Sequence, residues 1–199
     1  MSALKAIDGM GARALEFAIL TACRSGEVRG ATWTEIDEKA GVWTIPAERM
    51  KADKEHRVPL SPAAMELLKN LPRIAGTDLI FPSTRITQLS DMTLSAAIRR
   101  MDEVSTKDGC NGWKDSTGKV ITIHGFRSTF RDWAGETTAY PREVIEHALA
   151  HQLKDKAEAA YARGTLFEKR RRLMADWAKH CANTITMADV KPINSKEAA

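Results

Sequence analysis

The chain has 199 residues, 43% of them hydrophobic, and a formal charge of +4. That length fits one well-packed domain and is tight for two, the apolar fraction is that of a globular protein rather than a disordered one, and the mild basic excess permits a polyanionic partner without requiring it. Cys23, Cys110 and Cys181 form no CxxC pair, which excludes a disulfide framework and a structural zinc site, and no stretch reaches the ~18–20 apolar residues of a membrane span, so a reducing cytoplasm is the expected compartment.

In chain order, Leu15, Ala18, Ile19 and Ala22 share one stripe at helical spacing and predict a helix near the start. Ser25 is placed to cap a second short helix carrying Glu27 and Val28. Val42 to Ile45 and Arg57 to Leu60 are short β-type runs, and the polar stretch between them reads as a turn or hairpin tip. Ser61 and Pro62 open the helix SPAAMELLKNL as N-cap and first helical residue. LIFPS is a brief strand or turn, and DMTLSAAIRRMDEV is helical again. After a polar loop over 106–119, the segments HGFRSTFRDWAGETT, PREVIEHALA, DKAEAAYARG and LFEKRRRLMADWAKHC predict four successive helices. The pattern is a mainly α domain with a small antiparallel β-sheet (α+β) over residues 1–183, followed by an aperiodic, frayed tail at 184–199.

Several polar residues have spacings that suit chemistry as well as bland roles. His124 and Arg127 are three apart at a helix start, where free N–H groups favour phosphate; taken alone, a capping or satisfied histidine and a solvated arginine are the commoner reading. Arg24 stands at a helix-to-helix junction, with Glu27 placed to hold its guanidinium by a charge-assisted bond or as an ordinary surface pair. Arg49, Lys51, Lys54 and Arg57 make the hairpin tip strongly positive, either as a solvated loop or as a finger reaching a nucleic-acid groove. On chemistry alone Lys51 and Lys54 compete as proton donor. His147 and His151 are four apart, and with no carboxylate or third histidine near them in a metal-site pattern, metal binding is set aside. Tyr161, flanked by alanines, reads locally as a packing residue.

The order of these residues is more informative than any one of them. Arg24 in TACRSGEVRGATWTEID, the lysine in ERMKADKEHRVPLS, His124 and Arg127 in HGFRSTFRDWA, and His151 and Tyr161 in VIEHALAHQLKDKAEAAY resemble the catalytic set of the tyrosine recombinase (phage integrase) family. The resemblance is to bacterial prophage and genomic-island integrases, with LAH where many relatives have LGH. It implies the DNA breaking–rejoining catalytic fold and a site-specific recombinase working without metal, ATP or other cofactor.

In residue terms the resemblance makes Tyr161 the nucleophile and His124 its general base, and it selects Lys51 over Lys54 as the acid for the departing 5′-oxygen. Arg24 and Arg127 become the clamp on the phosphate oxygens, with a further hydrogen bond from His151 rather than His147. Tyr140 precedes His151 and so falls outside the reaction. Arg49, Lys54, Arg57 and Arg131 are further candidate DNA contacts. The implied partner is double-stranded DNA at attachment sites, bound by a tetramer of the full-length protein, with the isolated domain a monomer. Family members carry DNA-binding parts ahead of the catalytic domain; this chain begins almost at the first catalytic helix, so those parts are expected to be missing from it. A topoisomerase-like nicking and resealing enzyme and a non-catalytic DNA-binding module are the competing readings. Replacing Arg127 by alanine is expected to stop catalysis and leave the fold intact.

Overall fold

A computed structural model describes residues 1–115, 117–151 and 165–183. In chain order its elements are α1 (Ser2–Lys5), α2 (Met10–Thr21), α3 (Ser25–Arg29), β1 (Ile36–Asp37), β2 (Val42–Ile45), β3 (His56–Pro59), α4 (Pro62–Lys69), α5 (Thr93–Lys107), α6 (Ile123–Thr137), α7 (Arg142–Ala148) and α8 (Thr165–Ala182). The predicted helix DKAEAAYARG, with Tyr161, and the tail at 184–199 lie outside the described residues. No described helix is long and apolar enough to cross a membrane.

The predicted stripe of α2 is real but incomplete. Ala12, Ala14, Leu15, Phe17, Ala18, Ile19 and Leu20 are all buried, because α1, α3, α4, α5, α6 and α8 all pack around this helix. Its charged residues are reconciled with burial by pairing. Glu16 accepts Arg13 Nη1 at 2.8 Å, and Arg13 Nη2 reaches the carbonyls of Leu4 and Ile7 at 2.9 Å, tying α1 to α2.

The sheet is three-stranded and antiparallel, in the order β1-β2-β3. Trp43 stands opposite Val58 and Ile45 opposite His56, so β3 starts one residue before the run of Arg57 to Leu60. Ser61 caps α4 as its sequence requires, its Oγ accepting the Ala64 N–H at 3.3 Å with Pro62 in the first turn. The LIFPS segment forms only isolated bridges, Thr32 to Leu79 and Pro82 to Gln88.

One capping expectation is corrected. Arg24, not Ser25, is the N-cap of α3, because Glu27 Oε2 accepts the Arg24 backbone N–H at 2.7 Å and satisfies the helix start from within.

Two helices end on alanines in the left-handed region. Ala22 closes α2 with φ 52°, and Ala150 follows α7 with φ 50°. At α7 the bonds Ala150 N–H to His147 O (3.2 Å) and His151 N–H to Glu146 O (3.0 Å) form a Schellman motif, in which glycine is the favoured residue at the left-handed position. The Cβ of Ala150 therefore carries a steric cost that glycine does not. Ala150→Gly is expected to stabilise the protein by about 1 kcal/mol, read as a higher urea midpoint at unchanged slope. An unchanged or lower midpoint would contradict the left-handed helix end.

Candidate active site

Three distant segments meet at one cleft of about 390 Å³, lined by Arg24, Met50, Lys51, Ala52, Ala150 and His151. Each lining segment is anchored differently. Arg24 is held by Glu27, whose Oε1 accepts Arg24 Nη1 at 2.7 Å while Oε2 takes the Arg24 backbone N–H. Glu27 is only 5% exposed, so this pair is not an ordinary surface contact.

The hairpin bearing Lys51 is braced from below. Trp43 Nε1 donates to Glu35 Oε2 at 2.9 Å, Arg49 Nη1 donates to Glu35 Oε1, and Arg49 Nη2 donates to the carbonyl of Glu27. A Cβ at Gly30 would meet Arg49 Nη2 at 3.0 Å, so the absence of a side chain there lets the brace close. Arg49, a candidate DNA contact, thus spends its guanidinium inside the fold, and Lys51 sits exposed two residues beyond it.

Arg127 lies behind the cleft and is 7% exposed. It donates through Nη1 to the carbonyl of Ala22 and through Nη2 to that of Leu149 at 2.9 Å, joining the C-terminal ends of α2 and α7. Burial pulls its pKa below the ordinary guanidinium value, and the nearby charge of Arg24 works in the same direction. Arg24 and His151 each stand two residues beyond one of its acceptors.

His151 ends the Schellman motif and turns back onto Glu146, whose Oε2 lies 2.5 Å from His151 Nδ1; Oε1 accepts Arg131 Nε at 2.8 Å. Burial raises the Glu146 pKa, but the bonds from His151 and Arg131 outweigh it and keep the carboxyl below its usual value. Sequence reasoning looked for a carboxylate near this histidine only in a metal-site pattern and so missed Glu146 as its partner. Five residues is not a helix-face spacing, and only the left-handed turn at Ala150 brings the two together.

The remaining candidates separate. His124 is exposed in the first turn of α6, where Thr122 caps the helix by accepting the Gly125 N–H at 3.0 Å; it is not among the residues lining the cleft. Arg57 covers the Phe167 ring at 4.8 Å, Arg131 is engaged by Glu146, and Lys54 is exposed near the hairpin tip. Tyr140 donates to Asp176 at 2.7 Å, and burial with that bond pushes its phenol up to about 12, which suits a packing role. Burial likewise pushes the Cys23 thiol up to about 12, so this neighbour of Arg24 is no nucleophile. His56, which sequence reasoning passed over, is pushed down to about 3 by burial and by Arg170, and it stays neutral among the arginines. Tyr161 lies outside the described residues.

Residues 2–165 match the family model described as the phage integrase family. The prophage integrase IntA of Escherichia coli strain K12 is 37% identical over 164 residues, covering 80% of this chain and 36% of that protein. The integrase of Enterobacteria phage P4 is 33% identical over 181 residues, covering 82% and 38%. The chain therefore spans little more than a third of the length of these curated relatives. Among solved structures, the lambda integrase catalytic core is similar in fold, with a TM-score of 0.51 at 23% identity over 76% of this chain and 88% of that one. The XerH site-specific recombinase bound to its difH substrate in a pre-cleavage complex gives a TM-score of 0.55 at 18% identity, over 82% of this chain and 51% of that one.

The bridge made by Arg127 changes what its removal should do. Arg127→Ala leaves two buried helix-end carbonyls without their charged donor, at a cost of about 3 kcal/mol. Chemical denaturation is expected to show that loss, against the sequence-based expectation of an intact fold. An unchanged midpoint would mean that the bridge carries no stability.

Proposed function

The chain belongs to the phage integrase family, and from that premise we propose that it is the catalytic part of a site-specific DNA recombinase, in which Tyr161 cuts one strand through a 3′-phosphotyrosyl intermediate. The observation that carries this reading is the convergence of Arg24, Lys51 and His151 on one cleft, with the buried Arg127 joining the helix ends behind it.

In the proposed reaction the Tyr161 oxygen attacks the scissile phosphorus as the bond to the 5′-oxygen breaks. A phenol of ordinary pKa near ~10 needs a base, and the family resemblance gives that role to His124, which stands exposed in the first turn of α6 outside the residues lining the cleft. Lys51 gives a proton to the departing 5′-oxygen, a role suited to an ammonium on a long stem at an exposed hairpin tip. Arg24 binds the non-bridging oxygens, and its fork is already aimed by Glu27, so charge building on phosphorus meets a prearranged donor. Two of the N–H groups of Arg127 are used on the carbonyls of Ala22 and Leu149, and its remaining donors complete the clamp. His151 adds a hydrogen bond. The phosphotyrosyl bond conserves the energy of the broken phosphodiester, so attack by a 5′-hydroxyl of a second duplex rejoins strands without ATP.

The partner on this reading is double-stranded DNA at attachment sites. Related structures described as the XerH recombinase bound to difH and a lambda integrase tetramer bound to a Holliday junction support DNA as substrate and a tetramer as the assembly of the full-length protein. Residues 1–183 would form the catalytic domain, acting in the bacterial cytoplasm.

A nicked duplex that loses its cleaved fragment traps the covalent intermediate. The wild type is expected to give an SDS-resistant protein–DNA adduct and Tyr161→Phe none. An adduct that persists in Tyr161→Phe, or a wild type that binds DNA and never links to it, would leave a DNA-binding module as the better account.

A further inference from the structure

Glu146 is 8% exposed and meets His151 twice: its Oε2 lies 2.5 Å from Nδ1, and its carbonyl accepts the His151 N–H at 3.0 Å. One bond through the side chains and one through the backbone close a ring around the left-handed Ala150, and this fixes the imidazole against rotation. The other carboxylate oxygen accepts Arg131 Nε at 2.8 Å, so the carboxylate is itself held. An ionised carboxylate only accepts hydrogen bonds, so Nδ1 of His151 must carry the proton between them. Nε2 is then the ring nitrogen left for the cleft that His151 lines.

We propose that Glu146 is a positioning residue for strand cleavage, fixing the tautomer and orientation of His151 so that Nε2 meets the scissile phosphate, while Arg131 fixes Glu146. The proposal rests on the recombinase reading of the cleft. Glu146 touches no DNA and acts only through His151. Arg131, a candidate DNA contact from sequence, is on this account the outer member of the chain Arg131–Glu146–His151. The arrangement parallels the carboxylates that orient ligating and catalytic histidines elsewhere, whose loss costs about 10- to 100-fold.

Glu146→Gln keeps the size of the side chain but offers an amide that donates as readily as it accepts, so the proton on Nδ1 is no longer dictated. In nitrogen-15-labelled protein without DNA, neutral His151 is expected as the Nδ1–H tautomer in the wild type and shifted toward Nε2–H in Glu146→Gln. Adduct formation on the nicked duplex is expected to slow about 10- to 100-fold in Glu146→Gln. Added to His151→Ala, the same substitution should cost nothing further, because two residues acting as one unit are not additive. An Nε2–H tautomer in the wild type overturns the proposal, as does a full additional loss in the His151→Ala background. A wild type that forms no adduct refutes the recombinase reading, and the tautomer then still decides whether Glu146 orients His151.

Discussion

The carbonyls of Ala22 and Leu149, at the ends of α2 and α7, share one buried donor, the guanidinium of Arg127. A helix C-terminus leaves carbonyls without intrahelical partners and carries the negative end of the helix dipole, so a cation between two such ends satisfies both at once. A lysine would not do the same, because its three donors radiate from one atom, whereas the guanidinium presents two N–H groups at a fixed spacing. Both segments turn through a left-handed alanine at this point, Ala22 on one side and Ala150 on the other. His151 follows Ala150 directly, and Arg24 follows Ala22 after Cys23. The register of the cleft is therefore set by main-chain atoms, which no side-chain substitution at the acceptor positions can remove.

Around this bridge the fold places a second tier of buried or half-buried acids, two of which hold a side chain that lines the cleft while the third braces the hairpin beneath it. Glu27 aims Arg24, Glu146 holds His151, and Glu35 takes Arg49 and Trp43 to brace the hairpin. Paired in this way, the charges keep their partners without mutual repulsion dominating a site built almost entirely from positive groups. The uncharged state of His56, packed near Arg170 and Arg127, serves the same end. Lys51 is the exception, exposed at the tip beyond the last braced residue. On the proposed reaction a phosphate-clamping group benefits from rigidity, and a group that follows a leaving oxygen benefits from reach.

What the sequence shows of this depends on whether the signal is local. Ser61 with Pro62, and the run Val42 to Ile45, specify their elements by adjacent residues and are found where expected. The cap of α3 was misread because Glu27 performs it from the third helical position, leaving Ser25 inside the helix. The membership of Arg24, Lys51 and His151 in one site was legible only from the order of the motifs, since nothing local to any of them reveals the others. The bridging role of Arg127 was not legible at all. Its acceptors are carbonyls 105 and 22 residues away, and a carbonyl has no residue type to read. Glu146 was hidden differently, by a turn whose left-handed residue is an alanine rather than the glycine that would have announced it.

The most direct test of this account is a crystal structure of the covalent complex on a nicked duplex. The account predicts phosphorus bonded to the Tyr161 oxygen, its non-bridging oxygens within hydrogen-bond distance of Arg24, of His151 Nε2 and of the remaining donors of Arg127, and Arg127 still bridging the carbonyls of Ala22 and Leu149. A phosphate seated outside the cleft, or an Arg127 that has left both carbonyls with Arg24 and His151 unmoved, would contradict it.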